Sequence, residues 1–214
     1  MPRSTRYDIR ENNNDAPAAT LVQMQFGGAW SDRCGDAMVG VSRKLAASLR
    51  VTTILAIAGA IWANAAFSPL PIDAKADLLV AEKGQRRLLA YSHGRLLRAY
   101  PVSLGRDPIG AKERQGDRRT PEGRYVIDGH NPASSFHRAL HVSYPSVADA
   151  ARAHAGGYDP GGEIMVHGIH NGLGWIGRAQ RFVDWTVGCI AVTDPEIEEL
   201  YRIVPDGTPI EIRP

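Results

Sequence analysis

The sequence predicts a mainly-β domain with a few short helices. Three features predict it. Glycine and proline are abundant, 22 and 14 in 214 residues, which suits a turn-rich chain better than a helical bundle. Apolar residues fall in short runs separated by turn-forming clusters. Beyond residue 66, only two stretches carry helix signals.

The elements follow in chain order. Asp77–Glu82, Arg87–Tyr91 and Arg95–Leu104 are apolar-rich and are separated by Lys83-Gly84-Gln85 and Ser92-His93-Gly94, the spacing of a β-meander. Gly105–Arg119 holds three glycines and many charges and is expected as a loop. The turn Thr120-Pro121-Glu122-Gly123 leads into a strand over Arg124–Asp128, and Ala139–Tyr144 alternates like another strand. Ser146–Ala155 is Ala-rich and free of Gly and Pro, so a helix is expected there. Strands are predicted over Glu163–His167 and Gly188–Val192, with a Gly-broken stretch over Gly168–Gly177 between them. Thr193 with Glu196 three residues later forms a capping-box pattern, and Pro195 is tolerated in a first turn. A helix over Pro195–Val204 and a last strand over Thr208–Arg213 complete the domain.

The N-terminal part has a different character. Residues 1–37 are polar, without helical or strand period, and are expected to be a lead that is not part of the native protein, with Met38 the start. Residues 38–65 have the layout of a secretory signal. Arg43, Lys44 and Arg50 precede the 12-residue apolar run Val51–Trp62, and Ala63-Asn64-Ala65 offers a small-x-small cleavage site. No acidic residue lies between Asp36 and Asp73, as a positive-inside start requires. Basic flanks on one side only argue against a buried core helix. Retention as an inner-membrane anchor is the alternative to export, because Val51–Phe67, 17 residues long, is at the short end of a span. Export to the periplasm is expected. Residues 66–76 are a Pro-rich linker, and 77–214 form the folded domain.

The charge excludes one class of partner. A formal net charge of +2 is no basic footprint for nucleic acid. Seven basic and five acidic residues precede position 66, so the excess belongs to the leader and the domain is balanced. Two cysteines build neither a disulfide scaffold nor a Cys-only zinc site, and Cys34 leaves with the leader.

One cysteine, Cys189, then remains in a chain bound for an oxidising compartment. It is a small buried hydrophobe, half of an intermolecular disulfide, or a nucleophile. Gly188 lets the backbone approach a substrate, and a thiol needs a nearby base or cation to lower its pKa from about 8.5. His167 ends the apolar strand Ile164-Met165-Val166 and precedes Gly168. If the two strands pair, a Cys–His arrangement for nucleophilic catalysis results.

Ile164-Met165-Val166-His167-Gly168, with Thr186-Val187-Gly188-Cys189-Ile190 placing the cysteine 22 residues after the histidine, resembles the catalytic signature of the YkuD-type L,D-transpeptidases. Gly116-Asp117-x-x-Thr120-Pro121-Glu122-Gly123 resembles that family's substrate-side loop, and the opening meander fits as well. The likeness covers about Ala76–Pro214. Asp184-Trp185-Thr186-x-Gly188-Cys189-Ile190-Ala191-Val192 is closer to one proteobacterial branch, the murein transpeptidase-like proteins, which include an endopeptidase that releases lipoprotein from the wall.

The resemblance implies a sandwich-like β catalytic domain over 77–214, with Cys189 as nucleophile and His167 as base and proton carrier. The second histidine nitrogen is expected on a backbone carbonyl near Gly168, and backbone N–H groups around Gly188 and Cys189 are expected to hold the oxyanion. The implied partner is a peptidoglycan stem peptide. Attack on the carbonyl of its diamino acid releases D-alanine, and an amine acceptor resolves the thioester. The alternatives are hydrolysis of stem peptides or of a wall–lipoprotein link, and a peptidoglycan-binding domain without catalysis. Many members carry His where Val187 stands and Arg where Ala191 stands. The missing Arg keeps hydrolysis beside transfer.

The remaining candidates divide between site and packing. His141 and Tyr144 are expected to line the cleft, with an edge-strand histidine the alternative for His141; His137 fits a surface or packed position. Thr186 and Trp185 flank the cysteine, Trp185 and Trp175 being packing residues or an aromatic wall against a sugar-peptide. Arg118 and Arg119 are solvated loop charges or contacts to anionic stem peptides, and Arg119 is expected to bind substrate. Asp117 and Asp184 are expected to cap backbone N–H groups. His170 lies three residues after His167, but without His-Glu-x-x-His or Cys-x-x-Cys no metal is expected, and no cofactor either.

Overall fold

The computed structural model describes residues 48–62 and 67–214. The expected lead, the Met38 start, Cys34 and the Ala63-Asn64-Ala65 cleavage site lie outside the described residues. Residues 48–62 form a helix, α1, exposed along its length. Among the described residues no helix is long and apolar enough to cross a membrane.

Eight strands follow: β1 (Leu78–Glu82), β2 (Arg87–Ser92), β3 (Arg95–Pro101), β4 (Gly123–Asn131), β5 (Ala139–Val142), β6 (Met165–His167), β7 (Ile190–Ala191) and β8 (Pro209–Arg213). Helix α2 spans Val147–Ala155 and helix α3 spans Asp194–Ile203. The strands form one sheet in the order β3-β2-β1-β8-β4-β5-β6-β7. The meander is present: β1 pairs antiparallel with β2, and β2 with β3. The last strand, β8, enters the middle of the sheet, parallel to β1 and antiparallel to β4.

The expected sandwich takes the form of one sheet curled on itself. Past β3 the chain leaves β2, and Ser103 pairs with Ala191 of β7 through Ser103 N–H to Ala191 O (2.9 Å) and Ala191 N–H to Ser103 O (2.8 Å). The segment after one edge strand therefore bonds the opposite edge strand. Inside the curl lies the apolar core, with Leu79, Leu88, Tyr100, Ile127, Leu140, Ile190 and Ile210 fully buried. Helix α3 adds Ile197, Leu200 and Ile203 to it and packs against β5.

Both helices start where the sequence predicts, to within a residue. Helix α2 has a complete capping box between Ser146 and Asp149. At α3 the Glu196 carboxylate accepts from the Thr193 N–H (2.9 Å) and hydroxyl (2.6 Å). Four expected strands are shorter by two residues or more, among them Ala139–Tyr144, which ends at Val142. Arg95–Leu104 yields a strand only to Pro101, because Ser103 changes partner. Glu163–His167 begins at Met165, after Glu163 at φ +55, and Gly188–Val192 shrinks to Ile190–Ala191, after the turn that Thr186 and Gly188 build before Cys189. An αL residue such as Glu163 turns the chain out of an extended ladder. The stretch around Gly177 contains a 3-10 helix, Gly174–Phe182, kinked at Gly177.

The expected linker is strapped to α3. Arg202 donates to Leu70 O (3.1 Å), Pro71 O (2.9 Å) and Ile72 O (3.0 Å), and the Leu70 N–H donates to Glu199. Glu199, buried, also accepts from Tyr100 Oη (2.8 Å) and pairs with Arg98 (3.0 Å).

Lys83, only 2% exposed, ties the Gly105–Thr120 loop to the end of β1. It donates to Gly110 O (2.6 Å), Thr120 O (3.0 Å) and Glu122 Oε1 (2.7 Å). Removing the ammonium strands a carboxylate and two carbonyls with little access to water. Lys83→Met is therefore expected to lose about 3 kcal/mol of stability, measured by urea unfolding; a loss below about 0.5 kcal/mol would show that the staple is idle.

Candidate active site

Strands β6 and β7 pair in parallel, with Val166 opposite Ile190 and His167 opposite Ala191. That register sets Cys189, just before β7, beside the start of β6 and brings it to the cleft that His167 lines. The cleft has a volume of about 420 Å³. Besides Cys189 and His167, its walls include Phe136, Met165, Trp185 and Thr186.

His167 is 3% exposed. Its Nδ1 is 2.7 Å from Gly168 O. A carbonyl only accepts, so Nδ1 carries the proton and Nε2 holds the lone pair of the neutral ring. Phe136 packs against the imidazole at 4.5 Å between centroids, and Trp185 meets it edge-on at 5.7 Å. Trp185 is itself fixed by its Nε1–H to Gln180 Oε1 (2.7 Å). It is a wall of the cleft and a packing residue together.

Cys189 is half-buried and unpaired. Its Sγ donates to Glu163 O at 3.5 Å. Burial raises the thiol pKa, against smaller lowering contributions from the Met165 N–H and the Lys112 charge. Burial also lowers the His167 pKa, partly offset by the Gly168 carbonyl. Both shifts favour a neutral thiol beside a neutral imidazole over a thiolate–imidazolium pair.

The turn before the cysteine is built by Thr186 and Gly188. Thr186 Oγ1 donates to Cys189 O (2.8 Å) and accepts from the Gly188 N–H (3.2 Å). A Cβ on Gly188 would lie 2.9 Å from Arg119 O. Thr186 thus touches the cleft but spends its hydroxyl inside the turn. The Gly188 N–H, expected as an oxyanion donor, is taken by that hydroxyl.

Carboxylates fix the surrounding loops. Asp184 Oδ1 accepts from the Leu104 N–H (2.9 Å), and its Oδ2 from Arg86 (2.8 Å). Asp117 accepts three backbone N–H groups, of Glu113, Arg114 and Arg119, and the Lys112 ammonium at 2.7 Å. These bonds hold its pKa below the usual range although burial opposes them. Asp194, which sequence reasoning did not single out, accepts from the Ile169 N–H (2.8 Å) beneath the loop that follows His167.

Three expected substrate contacts lie elsewhere. Tyr144 is buried, donates to Pro160 O (3.0 Å) and packs on Tyr125; burial pushes its pKa up to about 12. It belongs to the core, not to the cleft. His141 shares the sheet face of Met165 but pairs with Asp128 (2.6 Å), outside the cleft walls. Arg119 lines a neighbouring cavity of about 590 Å³ and not the one at the thiol. The arginine that shares a cavity wall with Cys189 is Arg118. With Gln115, Glu163 and the buried Lys112, it walls a second cavity of about 550 Å³ that also reaches the cysteine. The sequence carried no signal for Lys112, whose neighbours show no period. No group of three or more His, Cys, Asp or Glu side chains suited to a metal occurs among the described residues, and His170 is bonded to Asn171 O (2.9 Å).

The family model of the YkuD L,D-transpeptidase catalytic domain matches residues 76–212. The chain belongs to this family. "Putative L,D-transpeptidase YafK" of Escherichia coli (strain K12) is 26% identical over 176 residues, 76% of this chain and 64% of that protein. The chain thus spans less than two thirds of the curated relative it matches. Among solved structures, the helical cell shape determining protein Pgp2 of Campylobacter jejuni has a TM-score of 0.50 at 23% identity, covering 65% of this chain and 48% of that one. It shares the fold. An L,D-transpeptidase from Mycobacterium smegmatis is more distant, with a TM-score of 0.44, 19% identity, and 65% and 59% coverage.

In this YkuD domain, Gly168 has no room for a side chain: a Cβ would lie 2.8 Å from Asp194 Oδ1 and 3.0 Å from both His137 Cβ and Ile197 Cγ2. Gly168→Ala is expected to cost about 1–3 kcal/mol by overpacking and to disturb the carbonyl that orients His167. Thermal unfolding and the imidazole NMR shifts of His167 check it; unchanged values for both would refute the fit.

The two pKa shifts predict a pH response. An imidazole with a lowered folded value contributes stability that is in place above about pH 6.5 and is lost as pH falls. A thiol with a raised folded value contributes stability in place below about pH 8.5 and lost as pH rises through the folded value. Iodoacetamide labelling of Cys189, followed by mass spectrometry, is expected to accelerate up to and beyond pH 9. A rate that levels off at pH 7 or below would mean a preformed thiolate.

Proposed function

We propose that the chain is an exported cysteine-dependent L,D-transpeptidase acting on peptidoglycan stem peptides. The observation that carries the proposal is the shared cleft: an oriented imidazole and a lone thiol on paired strands, in a domain of the YkuD family. Burial disfavours the charged form of both groups, so in this mechanism the thiol proton leaves as the sulfur attacks. As the Cys189 sulfur attacks the carbonyl of the diamino acid, its proton moves to His167 Nε2. The oxyanion is stabilised by backbone N–H donors; with the Gly188 N–H held by Thr186, the Cys189 N–H is the candidate. The C–N bond then breaks, and the His167 proton goes to the departing D-alanine amine. A thioester remains. An acceptor amine attacks it, gives its proton to His167, and the sulfur leaves and is reprotonated.

Hydrolysis is the second reading. Ala191, where many relatives carry Arg, is fully buried and offers no side-chain hydrogen bond to an acceptor. Water in the acceptor's place would trim stems or free a wall-linked lipoprotein. Export rests on the signal-like segment 38–65, whose apolar run forms the exposed helix α1.

Two experiments on the full chain test these proposals. Incubation with a carbapenem is expected to add one acyl group, mapped by peptide mass spectrometry to Cys189 and lost in Cys189→Ala. Absence of an adduct there would sink the reactive-thiol mechanism. With purified tetrapeptide muropeptides, free D-alanine and new cross-linked dimers indicate transfer. Shortened stems alone indicate hydrolysis, and binding without turnover leaves a wall-binding domain.

A further inference from the structure

We propose that the cavity beside the thiol cleft, walled by Arg114, Arg118 and Arg119, is a carboxylate-binding subsite for the peptide substrate, away from the bond that reacts. The inference rests on the stem-peptide reading above and deepens it by naming the substrate feature that is recognised.

The cavity, about 590 Å³, shares Gly116 and Arg118 with the 550 Å³ cavity that contains Cys189. The two are neighbouring lobes of one groove, and Arg118 stands at their junction. The guanidinium groups on the wall are only loosely engaged. Arg118 lies 3.6 Å from Asp107, and Arg119 lies 3.8 Å from Glu113 with one long bond from Nη1 to Ala111 O (3.5 Å). Neither ion pair is within hydrogen-bond length, so N–H donors remain on both for a ligand. Arg114 is placed by stacking over the Tyr158 ring at 5.0 Å.

Three carboxylates, Asp107, Glu113 and Asp117, also line the cavity. Asp117 is turned inward onto Lys112 and three backbone N–H groups, so its charge is matched within the loop. Asp107 and Glu113 remain as rim carboxylates, which compete with a ligand for the same guanidinium groups. The frame is already ordered. Gln115 N–H donates to Asp159 O (2.7 Å), Asp107 N–H to Arg118 O (3.2 Å), and Lys83 to Gly110 O (2.6 Å). Arg118 is held at φ +58, a conformation that side chains other than Gly, Asn and Asp seldom adopt. A planar guanidinium fork matches a carboxylate in two parallel bonds. A stem peptide carries such carboxylates, so a peptide reacting at Cys189 has a group to extend along the groove.

The test uses the full chain carrying Cys189→Ala, which cannot turn over, in isothermal titrations with a tetrapeptide muropeptide and with the same compound amidated at its free carboxylates. Amidation is expected to weaken binding about 3- to 10-fold at low salt. The double substitution Arg114→Gln, Arg118→Gln is expected to erase that difference, while Glu113→Gln, which removes a competitor, tightens the carboxylate form about 2-fold. Opposite responses to neighbouring substitutions would not come from a structural role. Equal affinity for the two forms, discrimination that survives the double substitution, or no binding of either form overturns the subsite. Carbapenem acylation of Cys189 in the unsubstituted chain is read separately, so loss of the subsite is distinguishable from loss of the cysteine mechanism.

Discussion

The geometry of this domain depends on a pair of hydrogen bonds between Ser103 and Ala191. Strand β7 is two residues long, too short to hold its place by its own ladder. It is fixed because β6 bonds one side and the chain beyond β3 bonds the other. Gln180 locks the same point: its amide oxygen accepts from Ser103 Oγ (2.8 Å) and Trp185 Nε1 (2.7 Å), and its nitrogen reaches Ala191 O (3.5 Å). Each such bond is worth about 1 kcal/mol net, but leaving any of these buried groups unpaired costs more. The closure thus sets the curl of the sheet and the height of Cys189 relative to His167.

Carboxylates carry out on the loops what ladders do in the sheet. The site lies on irregular chain, as sites often do, and irregular chain near a core leaves backbone N–H groups that need acceptors. Asp117 serves three of them, Asp184 anchors Leu104, and Asp194 anchors Ile169. Asp194 also explains two glycines together. A Cβ on Gly168 or Gly174 would come within 2.8 or 2.3 Å of its oxygens, so the loop wraps closely around one carboxylate. The position of Gly168 O, and with it the protonation pattern of His167, follows from that packing.

The strands and helices were legible because they obey local rules: turn clusters between apolar runs, and a Thr–Glu capping box at α3. His167 and Cys189 were legible as a pair because each ends or begins an apolar run beside glycine, although their meeting depended on strand pairing. What escaped the sequence was decided by tertiary contact. The run to Leu104 looks like one strand, yet its last residues change partner at Ser103. The 3-10 helix Gly174–Phe182 has no side-chain cap to announce it. His141 lies on β5 and Tyr144 two residues past its end, but the alternation of the run does not say which face meets the cleft or that a hydroxyl finds Pro160 O. Lys112 sits among charges with no period, and its burial comes from Asp117 five residues later in a folded loop.

The resting chemistry of the pair has a physical logic of its own. A thiol with a depressed pKa reacts quickly with acyl groups, but it also reacts quickly with oxidants and disulfides, since the thiolate is the species attacked. Here burial pushes the thiol towards its protonated form, and the described chain offers no second cysteine to cap it. For a protein that works outside the cytoplasm, as proposed, that state protects a lone cysteine between turnovers. The cost is that proton removal must accompany attack. The fixed Nδ1–H to Gly168 O bond keeps the lone pair of His167 on Nε2, the tautomer that the proposed mechanism requires of its base. In the proposed mechanism, low thiolate content and attack on a bound peptide are compatible, because the carbonyl arrives in a cleft that the thiol and the imidazole already share.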